Sequence, residues 1–155
     1  MRRIAIITLV VFAFTATLAV AASVHFKPKG PTFTDTGLTL TVNGTLAGLG
    51  NGDVIITVQA SGSATTIGFN RGGNIAPGQT LQATETGTQT IPASEIQNGE
   101  VFFSVTTQPP AQPTAKEAGL PNNNWTAVIT DVAFSSATIT VMQGGEVVLK
   151  QTFKL

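Results

Sequence analysis

The sequence has no cysteine and no tyrosine, one histidine, one tryptophan, and only 10% charged residues. Without cysteine the chain cannot form a disulfide, so its fold has to be stable through packing alone. A single histidine and no cysteine also exclude the usual zinc sites. A serine-hydrolase triad would have to use His25, and neither a nucleophile elbow nor an oxyanion-hole motif accompanies it. The composition therefore predicts a protein that is not an enzyme and needs no cofactor.

Positive charge is scarce after residue 22. Six basic and eight acidic residues remain there, which gives a formal charge of about minus two. Nucleic-acid binding requires a basic stripe that neutralises several phosphates, and these cations are scattered along the chain. The charge pattern therefore excludes nucleic acid as a partner. It excludes an anionic membrane surface for the same reason.

The first 22 residues have the layout of a signal peptide. Arg2 and Arg3 precede an uncharged, largely apolar run over residues 4–20, and small residues allow cleavage after Ala21 or Ala22. We expect residues 1–22 to be removed and residues 23–155 to form a single secreted domain. The alternative is an uncleaved anchor, because residues 4–24 are just long enough to cross a hydrocarbon core of about 30 Å.

Apolar and polar residues alternate with a period of two through the rest of the chain, which predicts strands with one buried face. Five sets show this alternation: residues 38–42, 54–60, 101–105, 137–141 and 147–153. Residues 81–91 and 126–134 add two strands, and residues 24–26 or 32–34 supply an eighth. Glycine with Asn, Asp or Gln predicts tight hairpins at residues 50–53 and 143–146.

Seven to eight short antiparallel strands with Gly and Pro between them predict an all-β fold, an immunoglobulin-like β-sandwich. Ile91, the turn over residues 92–99 and the alternation that follows are typical of a connection between the two sheets of such domains. The Tyr and Cys that those domains often carry there are absent. A closed barrel or a jelly roll is the alternative.

Four ordered segments together resemble a group of small secreted bacterial proteins of unknown function, of the actinobacterial type. The segments are Gly50-Asn51-Gly52-Asp53-Val54, Ala76-Pro77-Gly78-Gln79, Ile91-Pro92-Ala93-Ser94-Glu95-Ile96 with Asn98-Gly99, and Asn124-Trp125-Thr126. The resemblance implies export and a shared fold, and it implies no activity. Some members of the group carry cysteines near positions 68 and 120, where this chain has Gly68 and Leu120. The resemblance therefore implies that a disulfide between two long loops is missing here.

Those two loops, residues 68–79 and 108–124, break the strand pattern. Loops longer than about 12 residues are often functional, and the alternative is a proline-stiffened surface loop. We predict that they bind an unidentified protein or glycan. The candidate residues are Asn70, Arg71, Asn74, Asn122, Asn123, Asn124 and Trp125. An exposed Trp125 between amides would stack on a sugar, whereas a buried Trp125 would belong to the core.

The segment over residues 24–34 supports two further hypotheses. With Pro28 and Pro31, it can add as a strand to the open sheet edge of a neighbour, which would make the protein a subunit of an extracellular assembly. Cleavage after Ala22 would instead expose Ser23-Val24-His25. Its amine, two amide nitrogens and imidazole form a square-planar set for Cu(II) or Ni(II). Cleavage after Ala21 removes that site, and His25 is then incidental.

One predicted strand carries Thr84, Thr86, Thr88 and Thr90 on a single face. Binding of ordered water or ice would require several such strands in register, and the sequence indicates one. We therefore predict a solvated strand face.

The leader gives a first testable prediction. The intact mass and N-terminal sequence of the natural exported protein should correspond to a chain that begins at Ala22 or Ser23. A start at Ser23 leaves the copper hypothesis open. A full-length chain that retains Met1 would contradict the signal-peptide prediction.

Overall fold

The computed structural model describes residues 23–155, so the predicted signal peptide at residues 1–22 lies outside the described residues. The strands are β1 (His25–Phe26), β2 (Thr32–Asp35), β3 (Leu40–Ala47), β4 (Val54–Asn70), β5 (Ile75–Pro77), β6 (Leu81–Ile91), β7 (Val101–Thr106), β8 (Trp125–Gln143) and β9 (Glu146–Lys154). A short 3-10 helix covers Ala93–Glu95. Across residues 23–155 we find no helix with the length and apolar character needed to cross a membrane.

The strands form two antiparallel sheets. In sheet A, β3 pairs with β7 on one side. On its other side, the first half of β3 pairs with β2 and its end pairs with β1. In sheet B, β4 and β8 are central, β9 pairs with β8, and β5 and β6 share the outer side of β4. This strand order is that of an immunoglobulin-like sandwich, and the chain changes sheets between β3 and β4, between β6 and β7, and between β7 and β8. The predicted fold class is confirmed, and the barrel and jelly-roll alternatives are not adopted.

The main core lies between the two sheets. Alternate residues of β3, β4, β7 and β8 point inward and are almost fully buried: Leu40, Val42, Leu46, Val54, Ile56, Val58, Phe103, Val105, Ala137, Ile139 and Val141. Phe103 is the largest of the fully buried side chains, and burial of such a ring contributes about 1.5–3 kcal/mol. The rings of Phe26, Phe33 and Phe153 extend the core. The ring centroids of Phe26 and Phe103 are 6.2 Å apart, those of Phe26 and Phe153 are 5.7 Å apart, and those of Phe33 and Phe153 are 5.3 Å apart.

Two central strands are longer than the sequence pattern predicts. The alternation first assigned to residues 54–60 continues to Asn70 in β4, and the strands expected at residues 126–134 and 137–141 form one strand, β8. The ladder between β4 and β8 shifts at two points, where Thr130 and Ser135 have no residue of β4 opposite them. Each bulge changes which residues of β8 face the core. A strict period of two therefore breaks in the sequence although the strand continues.

The connections between strands partly match the prediction. The hairpin at residues 143–146 is confirmed, with φ of +63° at Gly144 and +84° at Gly145. Residues 92–99 link β6 of sheet B to β7 of sheet A, as expected. The hairpin predicted at residues 50–53 is wrong, because this turn connects β3 to β4 in the other sheet. The Gln143 amide holds the crossing through hydrogen bonds to backbone groups of Gly50 and Gly52.

The N-terminal segment belongs to its own sheet. His25 and Phe26 pair with the end of β3, and residues 32–35 pair with its beginning. Phe26 and Phe33 pack against the main core. Residues 24–34 thus form the edge of their own sheet, and their addition to the sheet of a neighbour stays a prediction.

Glu85 on β6 supports a testable prediction about stability. Its side chain faces inward and is buried, and this burial raises the pKa of its carboxyl group above the ordinary value. The folded state therefore binds the proton more tightly than the unfolded state does. Stability is highest below the ordinary pKa, and it falls as the pH rises from there through the folded-state pKa.

We expect Glu85→Gln to be more stable than the wild type at pH 7. The buried Glu85 carboxyl group is ionised at that pH at a cost in stability, whereas glutamine does not ionise. The difference should shrink as the pH falls to 3. Denaturant unfolding at both pH values measures it. Parallel stability–pH curves for the two proteins would contradict this assignment.

Candidate functional site

Sheet B extends beyond the main core as an arm, which we define as residues 62–70, 75–77 and 125–134. Residues 108–124, which we call the cap, cover the inner face of the arm at the end farthest from the main core. Ala115, Ala118 and Leu120 of the cap form a buried cluster with Ala127 of β8. The Gln112 side chain accepts a hydrogen bond from Ile129 N at 2.7 Å. Gln79 N, just after β5, donates to Ala118 O at 2.8 Å.

The cap begins its one helical turn at Thr114. Thr114 N and Oγ1 both donate to Glu117 Oε2 at 2.7 Å, and Glu117 N donates to Thr114 Oγ1 at 3.2 Å. This reciprocal pairing is a capping box, which satisfies the amides at the start of a turn. Hydrogen bonds from the Thr114 backbone and then its side chain lower the pKa of the Glu117 carboxyl group.

The turn ends at Gly119, whose φ is +69°. Gly119 N donates to Lys116 O at 3.0 Å, and Leu120 N donates to Ala115 O at 2.8 Å. These two bonds form a Schellman motif, which reverses the chain direction after a helical turn. The reversal directs Leu120 onto the arm. Residues 108–124 are therefore an ordered cover rather than a simple surface loop.

Leu120 packs directly on Gly68 of β4. A β-carbon added at residue 68 would lie 2.5 Å from both terminal methyl carbons of Leu120, so the present contact requires glycine there. Trp125 is partly buried against the same cluster. This placement supports the core alternative for Trp125, and its role as a sugar-stacking platform stays a prediction.

The two predicted loops meet at the tip of the arm. Asn70 and Trp125 are paired between β4 and β8, and this pairing brings the ends of both loops together. A cleft of about 300 Å³ lies there, lined by Phe69, Asn70, Arg71, Asn123, Asn124 and Thr126. Four of the seven predicted ligand-binding residues therefore share one cleft. The other three, Asn74, Asn122 and Trp125, lie outside its lining.

Residues 68–79 are not an irregular loop, which corrects the prediction. They form the end of β4, a short turn, and β5. Asn70 Oδ1 accepts hydrogen bonds from Gly72 N at 2.9 Å and Asn74 N at 3.0 Å. Asn70 therefore closes this turn.

Asn122 has the corresponding role in the cap. Its Oδ1 accepts a hydrogen bond from Asn124 N at 3.0 Å, which orders the residues that lead into β8. Asn70 and Asn122 are thus positioning residues for the tip. Arg71, Asn123 and Asn124 are exposed, and within residues 23–155 their side chains make no hydrogen bond.

Phe69 and Ile75 at the tip were missed in the sequence. They are paired between β4 and β5, with 37% and 68% of their surface exposed. The available signal was the alternation past residue 60, which places Ile67 and Phe69 on the outward face of β4. The glycines around them favoured a loop instead.

The threonine strand is also different from the prediction. Hydroxyl-bearing residues form two rows across β6, β4 and β8. One row is Thr88, Thr57 and Thr140, and the other is Thr84, Ser61 and Ser136. The premise that one strand alone carries hydroxyl groups is therefore wrong. Thr57–Thr88 and Ser61–Thr84 hydroxyls are each 3.3 Å apart and bond to one another. Twist between neighbouring strands also turns the rows out of a plane, so a solvated face remains the better interpretation.

Ser23 and His25 lie together at the start of the described chain. His25 is exposed, and its Nδ1 lies 2.8 Å from Ser23 O. A square-planar copper site would also need the amide nitrogens of residues 24 and 25, and His25 pairs with Ala47 of β3. Metal binding there would have to open β1, and the site stays a prediction. Among residues 23–155, no group of three His, Cys, Asp or Glu side chains could hold a metal ion.

No protein-family model matches the chain, and no curated protein matches it. Two solved structures of glycosyl hydrolase family 2 members from Bacteroides cellulosilyticus, one of them from strain DSM 14838, are distantly similar. Each has 13% sequence identity and a TM-score of 0.41, and the match covers 86% of this chain. The chain spans only 14% and 15% of the length of those structures. The fold assignment rests on the strand order and not on this similarity.

The contact between Gly68 and Leu120 gives a testable prediction. A β-carbon at residue 68 would lie 3.1 Å from Leu120 Cγ. Because Leu120 Cβ is one bond further, the β-carbons of a Gly68→Cys, Leu120→Cys double variant lie within about 4.6 Å, near the range of disulfides.

We expect this double variant to form the disulfide on oxidation. Its oxidised form should be more stable than its reduced form by about 2–4 kcal/mol, because the bond closes a long loop. Thiol titration and denaturant unfolding of the two forms measure both effects, and the reduced form is the matched control. Two free thiols after oxidation would contradict the contact.

Proposed function

We propose that this protein is an exported, non-catalytic binding module that docks a protein partner at the tip of its arm. One observation carries the proposal: two segments far apart in the sequence meet in one cleft with an exposed aromatic ring, an arginine and three asparagines. Export is supported by the leader sequence, and kinship with small secreted bacterial proteins by the closeness of positions 68 and 120.

The composition of the tip favours a protein over a glycan. Phe69 and Ile75 form an exposed apolar pair, and Arg71 lies beside Phe69 in the cleft. Aromatic residues and arginine are enriched at the centres of protein interfaces and dominate their binding energy. Trp125, the residue suited to hold a sugar, packs under the cap instead.

The charge of the tip indicates what the partner presents. Arg71 is the one charged residue in the lining of the cleft, and no carboxylate of the lining opposes it. Its guanidinium suits a carboxylate or a row of backbone carbonyls on the partner. Asn123 and Asn124 both donate and accept hydrogen bonds, so they suit the backbone of a peptide segment.

The tip is held in place before binding. Asn70 and Asn122 each close a turn on one side of the cleft. Leu120 and the capped turn fix the cap against β4. A prearranged site loses less conformational entropy when a partner docks, which raises its affinity.

The test is a binding experiment with variants of the tip. Residues 23–155 are immobilised and exposed to solubilised surface and secreted proteins of the producing cells, and the captured protein is purified and titrated. We expect Phe69→Ala and Arg71→Ala each to weaken binding by about tenfold or more, as central interface residues do.

Phe102→Ala is the matched control, because it removes an exposed phenyl ring from the other sheet. We expect this variant to bind the captured protein as the wild type does. Equal affinities for the wild type, Phe69→Ala and Arg71→Ala would refute the tip as the docking site.

A further inference from the structure

Phe102 is an exposed ring at the centre of a polar surface. It lies on β7, next to the fully buried Phe103, and the alternation of the strand turns it to the outer face of sheet A. Its side chain is 63% exposed. Its partner on β3 is Thr45, and Ser104 and Thr106 follow it on the same face. A phenyl ring in water contributes nothing to the core, so its position calls for another explanation.

A cleft lies on each side of this ring. The first, of about 450 Å³, is lined by Thr45, Glu95, Gln97, Asn98, Glu100, Val101 and Phe102. The second, of about 490 Å³, is lined by Lys27, Pro28, Lys29, Gly30, Thr32, Asn43, Gly44, Thr45 and Phe102. Thr45 and Phe102 belong to both clefts. The ring of Phe102 therefore lies between two adjacent clefts, which form the two halves of one site.

An ion pair and backbone hydrogen bonds within the protein fix the shape of both clefts. Lys27 Nζ bonds to Glu100 Oε2 at 2.8 Å and links the β1 side of sheet A to the start of β7. Backbone bonds in both directions between Gln97 and Glu100 close the turn through Asn98. On the other side, Gly30 N donates to Lys27 O at 2.8 Å. The site is therefore arranged before any ligand enters.

The two clefts differ in charge. Lys27 and Glu100 neutralise each other through their ion pair, which leaves the charge of Glu95 on one side of the ring and that of Lys29 on the other. An anionic ligand that spans both halves would meet the Glu95 carboxylate, and a cationic one would meet the Lys29 ammonium group. A hydroxyl group can donate to the first and accept from the second. The complementary ligand is therefore neutral and carries hydroxyl groups around an apolar ring face.

We propose that this face of sheet A binds a neutral saccharide, with the C–H face of one pyranose ring stacked on Phe102. The flanking sugars occupy the two clefts, where Asn43, Asn98 and Gln97 supply hydrogen bonds to their hydroxyl groups. The site lies on the other sheet and near the start of β4, whereas the tip lies at the end of β4. It is therefore independent of the protein-docking function.

The experiment titrates residues 23–155 with neutral gluco-, manno-, xylo- and chito-oligosaccharides and follows backbone amide shifts by NMR. We expect at least one of these series to bind and to shift the amides of residues 45 and 97–102. Phe102→Ala should weaken that binding by about tenfold or more, and Phe102→Trp should preserve it. An oligogalacturonate of equal length should bind more weakly, because its carboxylates meet that of Glu95.

Two controls separate this site from the tip and from damage to the fold. Phe69→Ala removes a ring from the tip and should bind the oligosaccharide as the wild type does. The exposed position of Phe102 predicts that Phe102→Ala keeps the unfolding midpoint of the wild type. The proposal is overturned if no neutral oligosaccharide binds at millimolar concentration, or if Phe102→Ala binds with unchanged affinity.

Discussion

The structure depends on the continuous pairing of β4 with β8. Both strands run from the main core into the arm, and β4 is paired with β8 from Val54 to Asn70. A ladder of this length fixes which side chains face inward along its whole course. Sheet A covers only part of that inner face. The remainder is apolar and would meet water unless another part of the chain covered it.

The cap meets this requirement, and the tip is its consequence. A capping box and a Schellman motif order one helical turn, and Leu120 packs where Gly68 leaves room. The same segment has to return to β8 at Trp125, beside the turn between β4 and β5. The cleft at the tip thus follows from the way in which the arm is covered. The site around Phe102 has a separate origin in the alternation of β7.

The sequence was sufficient for the fold class, because period-two alternation and the crossing at residues 92–99 survive in the structure. It was insufficient for β8, because the bulges at Thr130 and Ser135 invert the alternation within one strand. The Thr114–Glu117 box and Gly119 are visible in the sequence, but one turn is too short for helical periodicity. Asn70 and Asn122 were identified as ligand residues, whereas their side chains close turns. Convergence of two distant segments, and the partial burial of Trp125 against one of them, depend on packing that local patterns do not encode.

Native-state hydrogen exchange on the wild type and on Leu120→Ala tests whether the cap stabilises the arm. Arm amides, such as those of Ile67 and Ala127, should be protected in the wild type. In the variant they should lose about tenfold or more of that protection, because a cavity opens under the cap. Amides of the main core, such as those of Val58 and Ile139, should be unchanged. Unaltered protection of the arm in Leu120→Ala, or an equal loss in arm and core, would contradict this role of the cap.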